Sequence, residues 1–84
     1  MFPIRLPPLR ERREDIPLLA AHFLEKHARA FRRELEGFTP EALRTLTGYP
    51  WPGNVRELEN AVERAVAVAA GREVEQRDLP DEVR

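Results

Sequence analysis

Cysteine and serine are both absent from this sequence of 84 residues. Without cysteine there can be no disulfide and no thiolate metal site, and a reducing cytoplasm is the expected setting. Neither a signal peptide nor a long apolar run is present, so a membrane location is not predicted. The sequence also lacks an HExxH pair and a glycine-rich loop before a lysine, and it therefore offers no catalytic constellation and no metal site.

An excess of charge of either sign is also missing. The chain has 14 basic and 15 acidic residues, a formal net charge of −1, which gives no overall attraction to nucleic acid or to anionic lipid. Charged residues of both signs make up 35% of the chain, a mixture typical of solvated helix faces. At this length the chain is one small domain, or part of a larger one, with a modest core.

Proline dominates the start of the chain. Apolar side chains alternate with other residues over 2–9, and three prolines there leave no room for a helix. We therefore predict an extended strap or linker over 1–15, which leads from a missing neighbouring domain into a helical part over 16–84. Its last segment, 10–15, is dense in charge and is predicted to be a solvated turn, with an interaction patch as the alternative.

Apolar residues at helical spacing predict three helices, over 16–34, 40–48 and 55–70. Asp15 is the predicted N-cap of the first helix, and Thr39, followed by proline and glutamate, is that of the second. The third helix is predicted to turn Glu59, Glu63 and Arg64 towards water. The side chains predicted to face the core are Ile16, Leu19, Ala20, Phe23, Leu24, His27 and Phe31, then Ala42, Leu43 and Leu46, then Val55, Leu58, Ala61, Val62, Ala65, Val66 and Ala69.

The residues predicted to begin and end helices elsewhere in the chain support an all-α fold. Gly37 is the predicted left-handed residue beyond the first helix, and Asp78 is predicted to cap one last short turn. His22 is predicted to be exposed and His27 to lie at the edge of the apolar stripe; five residues apart, they do not form an i, i+4 metal pair. The expected architecture is a small bundle of three to four helices.

The most informative segment is 49–58, YPWPGNVREL, which contains the only tryptophan and the only tyrosine. The prolines on either side of Trp51 exclude a helix through the segment, and Gly53 permits a sharp change of direction. Asn54 is the predicted N-cap of the third helix. Glu57, three residues later, completes a pair that resembles a capping box.

Arg56 fits poorly in this helix start, because a cation in the first turn opposes the helix dipole by about 0.3–1 kcal/mol. One interpretation is a surface arginine that pairs with Glu57 or Glu59. The other is an arginine directed at an anion that binds at the same helix N-terminus. The residues taken alone leave both interpretations open.

The same segment, together with LPPLRERREDI over 6–16, closely resembles one family. It is similar to the C-terminal helical lid subdomain of the AAA+ ATPase module in sigma-54-dependent (NtrC-type) bacterial transcription activators. Further similar segments occur in family order over nearly the whole chain: FPIRL at 2–6, TPEAL at 39–43, LENAVER at 58–64 and DLP at 78–80.

The resemblance implies a nucleotide-binding role for three residues. Arg56 matches the sensor II arginine, which in the family reaches from the lid to the γ-phosphate of ATP held by the core subdomain. Asn54 and Val55 are implied to line the base or sugar side of the same cleft, and 9–16 to lie near the adenine. The implied cofactor is ATP, with magnesium supplied by the core subdomain.

Several parts of the family's module have no match here. The Walker A loop, the Walker B acids, sensor I, the arginine fingers and the GAFTGA loop that engages sigma-54 precede this region in the family, and a helix-turn-helix domain follows it. The expectation is a non-catalytic fragment of an AAA+ ATPase that contacts neither polymerase nor DNA by itself. Its implied partners are the core subdomain of the same chain and neighbouring subunits of a hexamer or heptamer.

Two other interpretations stay open. A helix-turn-helix nucleic-acid-binding module would use the second and third helices, but a turn of about six residues is long for that unit. The third helix also begins with more acid than base, which phosphates would repel. An autonomous helical adaptor is the other, although the apolar proline-rich strap, which has no sheet here to rest on, favours a severed domain.

Overall fold

The computed structural model describes residues 12–52 and 54–84 of the chain. The predicted all-α class is confirmed, with one short pair of strands added to it. The predicted strap over 2–9 and the predicted turn at Gly53 lie outside the described residues. In chain order the elements are a 3-10 turn (Arg13–Asp15), α1 (Ile16–Ala30), β1 (Gly37–Phe38), α2 (Pro40–Gly48), α3 (Asn54–Val68), β2 (Glu73–Val74) and a second 3-10 turn (Gln76–Asp78).

Helix α1 ends four residues earlier than predicted, because its C-terminus is closed by a Schellman motif. Arg32 adopts a left-handed conformation with φ of 57°, and its N–H donates to the carbonyl of Arg29 at 3.2 Å. The N–H of Arg33 donates to the carbonyl of Ala28 at 2.8 Å, the second bond of the motif. The prediction that Gly37 is the left-handed residue was therefore wrong, and Gly37 lies in β1 instead.

The predicted N-caps at Asp15, Thr39 and Asp78 have different outcomes in the structure. Thr39 caps α2 as predicted, since its Oγ1 accepts a bond from the backbone N–H three residues on, at 3.2 Å. Asp15 occupies the N-cap position of α1 without a capping bond, and its carboxylate lies 3.9 Å from the guanidinium of Arg12. Asp78 is the last residue of its turn, not the cap: its Oδ2 accepts from the N–H of Glu75 at 2.8 Å, and Glu75 is the cap residue.

The core lies between α1 and α3 and is closed at one end by α2. Alanines on the facing sides of α1 and α3 are buried, which lets the two helices approach closely. The predicted inward faces are confirmed except at Phe31, which is 45% exposed because it follows the last turn of α1. Leu19, Leu43 and Val55 are partly rather than fully buried.

A polar cluster also joins α1 to α3. Glu59, which was predicted to face water, accepts hydrogen bonds through Oε2 from Lys26 Nζ at 2.7 Å and from His27 Nε2 at 3.0 Å. Glu63 lies farther from the same imidazole, at 3.8 Å. His27 is buried, as its position at the stripe's edge predicts, because the ring finds polar partners on α3. His22 is exposed, as predicted.

Strands β1 and β2 were not predicted. They pair in parallel, with Gly37 opposite Glu73 and Phe38 opposite Val74. The ladder is extended by the N–H of Thr39, which donates to the carbonyl of Val74 at 3.0 Å. Two-residue strands are too short to show a periodicity in the sequence, and fully buried Val74 is what holds the second strand against the core.

Candidate functional site

The turn between α2 and α3 is anchored by Trp51. The indole is fully buried, and its Nε1–H donates to the carbonyl of Leu46 at 2.7 Å. The ring of Tyr49 meets it edge-on, with the centroids 4.8 Å apart and the planes at 82°. Trp51 itself has a φ of 50°, in the left-handed region. Trp51 therefore adopts an unusual backbone conformation between two prolines. Burial of its side chain holds this conformation in place.

Helix α3 begins directly from this anchor. Asn54 is its first residue, and the N–H of Asn54 donates to the carbonyl of Trp51 at 2.8 Å. With a φ of 58°, Asn54 retains a non-helical conformation and marks the helix boundary, within one residue of the prediction. Glu57 lies in the first turn as predicted, where a carboxylate suits the helix dipole. Its capping-box pairing with Asn54 stays a prediction.

Arg56 is the third residue of α3, and its side chain is exposed. Neither proposed carboxylate partner neutralises it: within 12–52 and 54–84, no salt bridge of Arg56 is present, and Glu59 is bound by Lys26 and His27 instead. The hydrogen bond from Lys26 lowers the pKa of the Glu59 carboxylate most, and the hydrogen bond from His27 lowers it further. The positive charge of the guanidinium and the positive end of the α3 dipole therefore lie together at one exposed place, which favours the binding of an anion.

The other predicted contact residues differ in what they can offer. Asn54 is exposed and lies two positions before Arg56, at the mouth of the same helix. Val55 packs partly against the core, which leaves mainly its backbone for such a contact. Ile16, within the segment implied to lie near adenine, is fully buried in the core. Arg12 is more accessible, with 21% of its side chain exposed.

The candidate site is an exposed helix mouth and not an enclosed cavity. Among the residues that the structure describes, no three histidine, aspartate or glutamate side chains are grouped to hold a metal ion. Open grooves lie elsewhere, among them one of about 550 Å³ between α1 and β1 and one of about 540 Å³ between α1 and α2. Their linings include Leu24, Ala28, Arg33 and Phe38 in the first groove and Pro17, Pro40, Leu43 and Thr47 in the second.

Sequence reasoning identified the residues at the helix mouth but missed the contacts behind them. The bond from Trp51 to the carbonyl of Leu46 depends on how α2 ends, which the sequence does not show. The contacts of Glu59 are only weakly indicated by the sequence. His27 lies at the edge of an apolar stripe, and a buried histidine requires a polar neighbour. The helices of the described chain include none with the length and apolarity that a bilayer crossing requires.

Comparison with known proteins places these features in a family. The model of the AAA+ ATPase lid domain matches residues 10–84. The transcriptional regulatory protein ZraR of Escherichia coli K12 is 57% identical over 77 residues, which cover 92% of this chain and 18% of ZraR. The formate hydrogenlyase transcriptional activator FhlA of the same strain is 58% identical over 81 residues, 96% of this chain and 12% of FhlA.

The fold comparison agrees. The crystal structure of NtrX from Brucella abortus in complex with ADP matches with a TM-score of 0.85 at 34% identity, over 99% of this chain and 20% of NtrX. The complex of NtrX with ATP matches with the same TM-score at 35% identity. This chain spans about a fifth or less of the length of each of these relatives. The resemblance to a AAA+ lid inferred from the motifs is thus confirmed, and the chain belongs to the AAA+ ATPase lid domain family.

Proposed function

We propose that this chain is the lid of the AAA+ ATPase module of a sigma-54-dependent transcription activator, and that Arg56 is its sensor II arginine. In this proposal the lid covers ATP held by a core subdomain, and the guanidinium contacts the γ-phosphate. The observation that carries the proposal is the exposure of Arg56 at the mouth of α3, with no salt bridge to a described residue. The relatives support it, because they are transcriptional regulators and NtrX was crystallised with ADP and with ATP.

The energetics of this position depend on whether a nucleotide is present. Without an anion, the cation at the helix N-terminus costs about 0.3–1 kcal/mol. A hydrogen bond from the guanidinium to a phosphate contributes about 1.5–3 kcal/mol, and the helix dipole then supports the same anion. The sign of the electrostatic energy at Arg56 therefore reverses when the γ-phosphate arrives, and this reversal links the position of the lid to the nucleotide state.

In this proposal the lid depends on the core subdomain to bind a nucleotide. Arg56, the side chain of Asn54 and the backbone of Val55 supply only one side of a nucleotide site, and a few such contacts do not offset an association penalty of about 4–15 kcal/mol. The core subdomain supplies magnesium and the groups that hydrolyse ATP. Neighbouring subunits of a hexamer or heptamer sense the lid's position, and contact with sigma-54 polymerase is made by other regions of the parent protein.

The test replaces Arg56 in the complete ATPase. Arg56→Ala is expected to reduce the preference for ATP over ADP at least tenfold, because the γ-phosphate is the group that distinguishes the two nucleotides. Nucleotide affinities are measured by titration calorimetry with a slowly hydrolysed ATP analogue, and the hydrolysis rate is measured in parallel.

Arg64→Ala is the matched control. Arg64 is an exposed arginine on the same helix, and it pairs with Glu82 at 2.8 Å instead of lying at the helix mouth. This variant should bind both nucleotides as the wild type does. Unchanged discrimination and turnover in Arg56→Ala, with the fold intact by circular dichroism, would contradict the sensor role.

A further inference from the structure

Trp51 connects the end of α2 to the start of α3 through two different groups. Its indole N–H donates to the carbonyl of Leu46, in the last turn of α2, where helix carbonyls have no partner within the helix. Its own carbonyl accepts the N–H of Asn54, the first residue of α3. One residue therefore fixes where α2 stops and where α3 begins.

The backbone of Trp51 adopts a conformation that a tryptophan disfavours. A bulky aromatic residue with a φ of 50° is a conformational outlier, and such a residue keeps this conformation only where the surroundings over-determine it. Here the surroundings are complete burial of the ring, the bond to Leu46 and the edge-on contact with Tyr49. If these contacts were weakened, the chain would relax towards negative φ and would enter α3 from a different direction.

Arg56 is the residue whose placement depends most on that direction. It lies in the first turn of α3, and its exposed side chain has no ion-pair partner in the described part of the chain to hold it. The next turn is fixed independently, because Leu58 is fully buried. A change at Trp51 therefore moves the helix mouth while the body of α3 stays packed.

We propose that Trp51 is the positioning residue for Arg56: it holds the mouth of α3 so that the guanidinium meets the terminal phosphate of the nucleotide. This inference rests on the proposed function of Arg56. It assigns to the tryptophan a role in discrimination between ATP and ADP, beyond its role in the core. Contacts of this kind lose strength when a group is displaced by about 1 Å, so a small relaxation of the turn is sufficient.

The test is a double-mutant cycle in the complete ATPase. Trp51→Phe keeps a buried aromatic ring but removes the donor to Leu46. The affinities for ADP and for a slowly hydrolysed ATP analogue are measured in the wild type, Trp51→Phe, Arg56→Ala and the double variant. Val66→Ala, which truncates a fully buried side chain near the C-terminal end of α3, is the control for destabilisation without a change at the turn.

Trp51→Phe is expected to lower the preference for the ATP analogue at least threefold, with ADP affinity unchanged, and to have no further effect when Arg56 is alanine. Val66→Ala should leave the preference as in the wild type. An unchanged preference in Trp51→Phe overturns the inference, as does an equal loss with and without Arg56; in both cases the sensor role of Arg56 survives.

If Arg56→Ala itself discriminates as the wild type does, the proposed function fails and the inference fails with it. Should Trp51→Phe not fold, Tyr49→Ala takes its place in the cycle. This variant removes the edge-on contact while the indole keeps its bond to Leu46, and the same pattern of effects is expected.

Discussion

Arg33→Ala tests how the C-terminal end of α3 is closed. The guanidinium of Arg33 donates to the carbonyl of Ala67 at 3.2 Å and also to that of Ala69. These carbonyls lie at the end of α3, where helix carbonyls are left unpaired and a cation suits the dipole. Bonds from a charged donor contribute about 1.5–3 kcal/mol each. Arg33 is half-buried and the freed carbonyls would regain water, so the expected loss of unfolding free energy is about 1–2 kcal/mol in total.

The assay is thermal unfolding of the 84-residue chain, followed by circular dichroism. For a domain of this size 1 kcal/mol corresponds to about 4–8 °C, so Arg33→Ala should lower the Tm by about 5–15 °C. Arg29→Ala is the control: Arg29 pairs with Glu25 at 3.0 Å, but both side chains are more than two-thirds exposed, and such pairs contribute about 0.3–0.5 kcal/mol. Equal Tm shifts in the two variants would refute the reasoning.

Two further predictions concern the polar cluster and the cap. The hydrogen bond from Lys26, and next that from His27, lowers the pKa of Glu59 below its ordinary value of 4.5. The ionised Glu59 carboxylate therefore stabilises the fold fully above its ordinary pKa. This stabilisation is lost as the pH falls through the lowered pKa of the folded state. Urea unfolding between about pH 3 and pH 7 should thus show a weaker acid destabilisation in Glu59→Gln than in the wild type; identical profiles would contradict the linkage. Thr39→Ala removes the cap of α2 and should cost about 0.5–2 kcal/mol in urea unfolding, whereas Thr39→Ser keeps the hydroxyl; equal losses in both would exclude a capping role.

The helices and their buried faces could be predicted because local rules and tertiary packing agree there. The apolar stripe of α3 recurs at helical spacing, and those same side chains are buried. The start of α2 carries a threonine cap with proline and glutamate behind it, and the cap bond forms as expected. Arg56 could be identified because its charge opposes the local helix dipole, which is a conflict visible in the sequence.

The details that sequence reasoning missed depend on contacts between distant segments. Glycine is the usual residue beyond a helix C-terminus, which is why the sequence predicts the left-handed residue at Gly37. In the structure this residue is Arg32, and the tertiary contacts of Arg33 with the end of α3 hold the chain in the earlier turn. Glu59 was expected in water because nothing local shows that α1 lies against it. The bond of Trp51 to the end of α2 is likewise a tertiary contact.

The pairing of β1 with β2 also bears on the order in which the molecule folds. Gly37 lies opposite Glu73, about 36 positions later in the chain, and the intervening segment contains the whole of α2 and α3. Closing a flexible loop of that length costs roughly 3 kcal/mol of chain entropy, more than a ladder of two-residue strands returns by itself. Collapse of the two helices shortens the loop and brings Val74 to the apolar surface that buries it. The two strands are therefore expected to pair late in folding, after the helices have packed together.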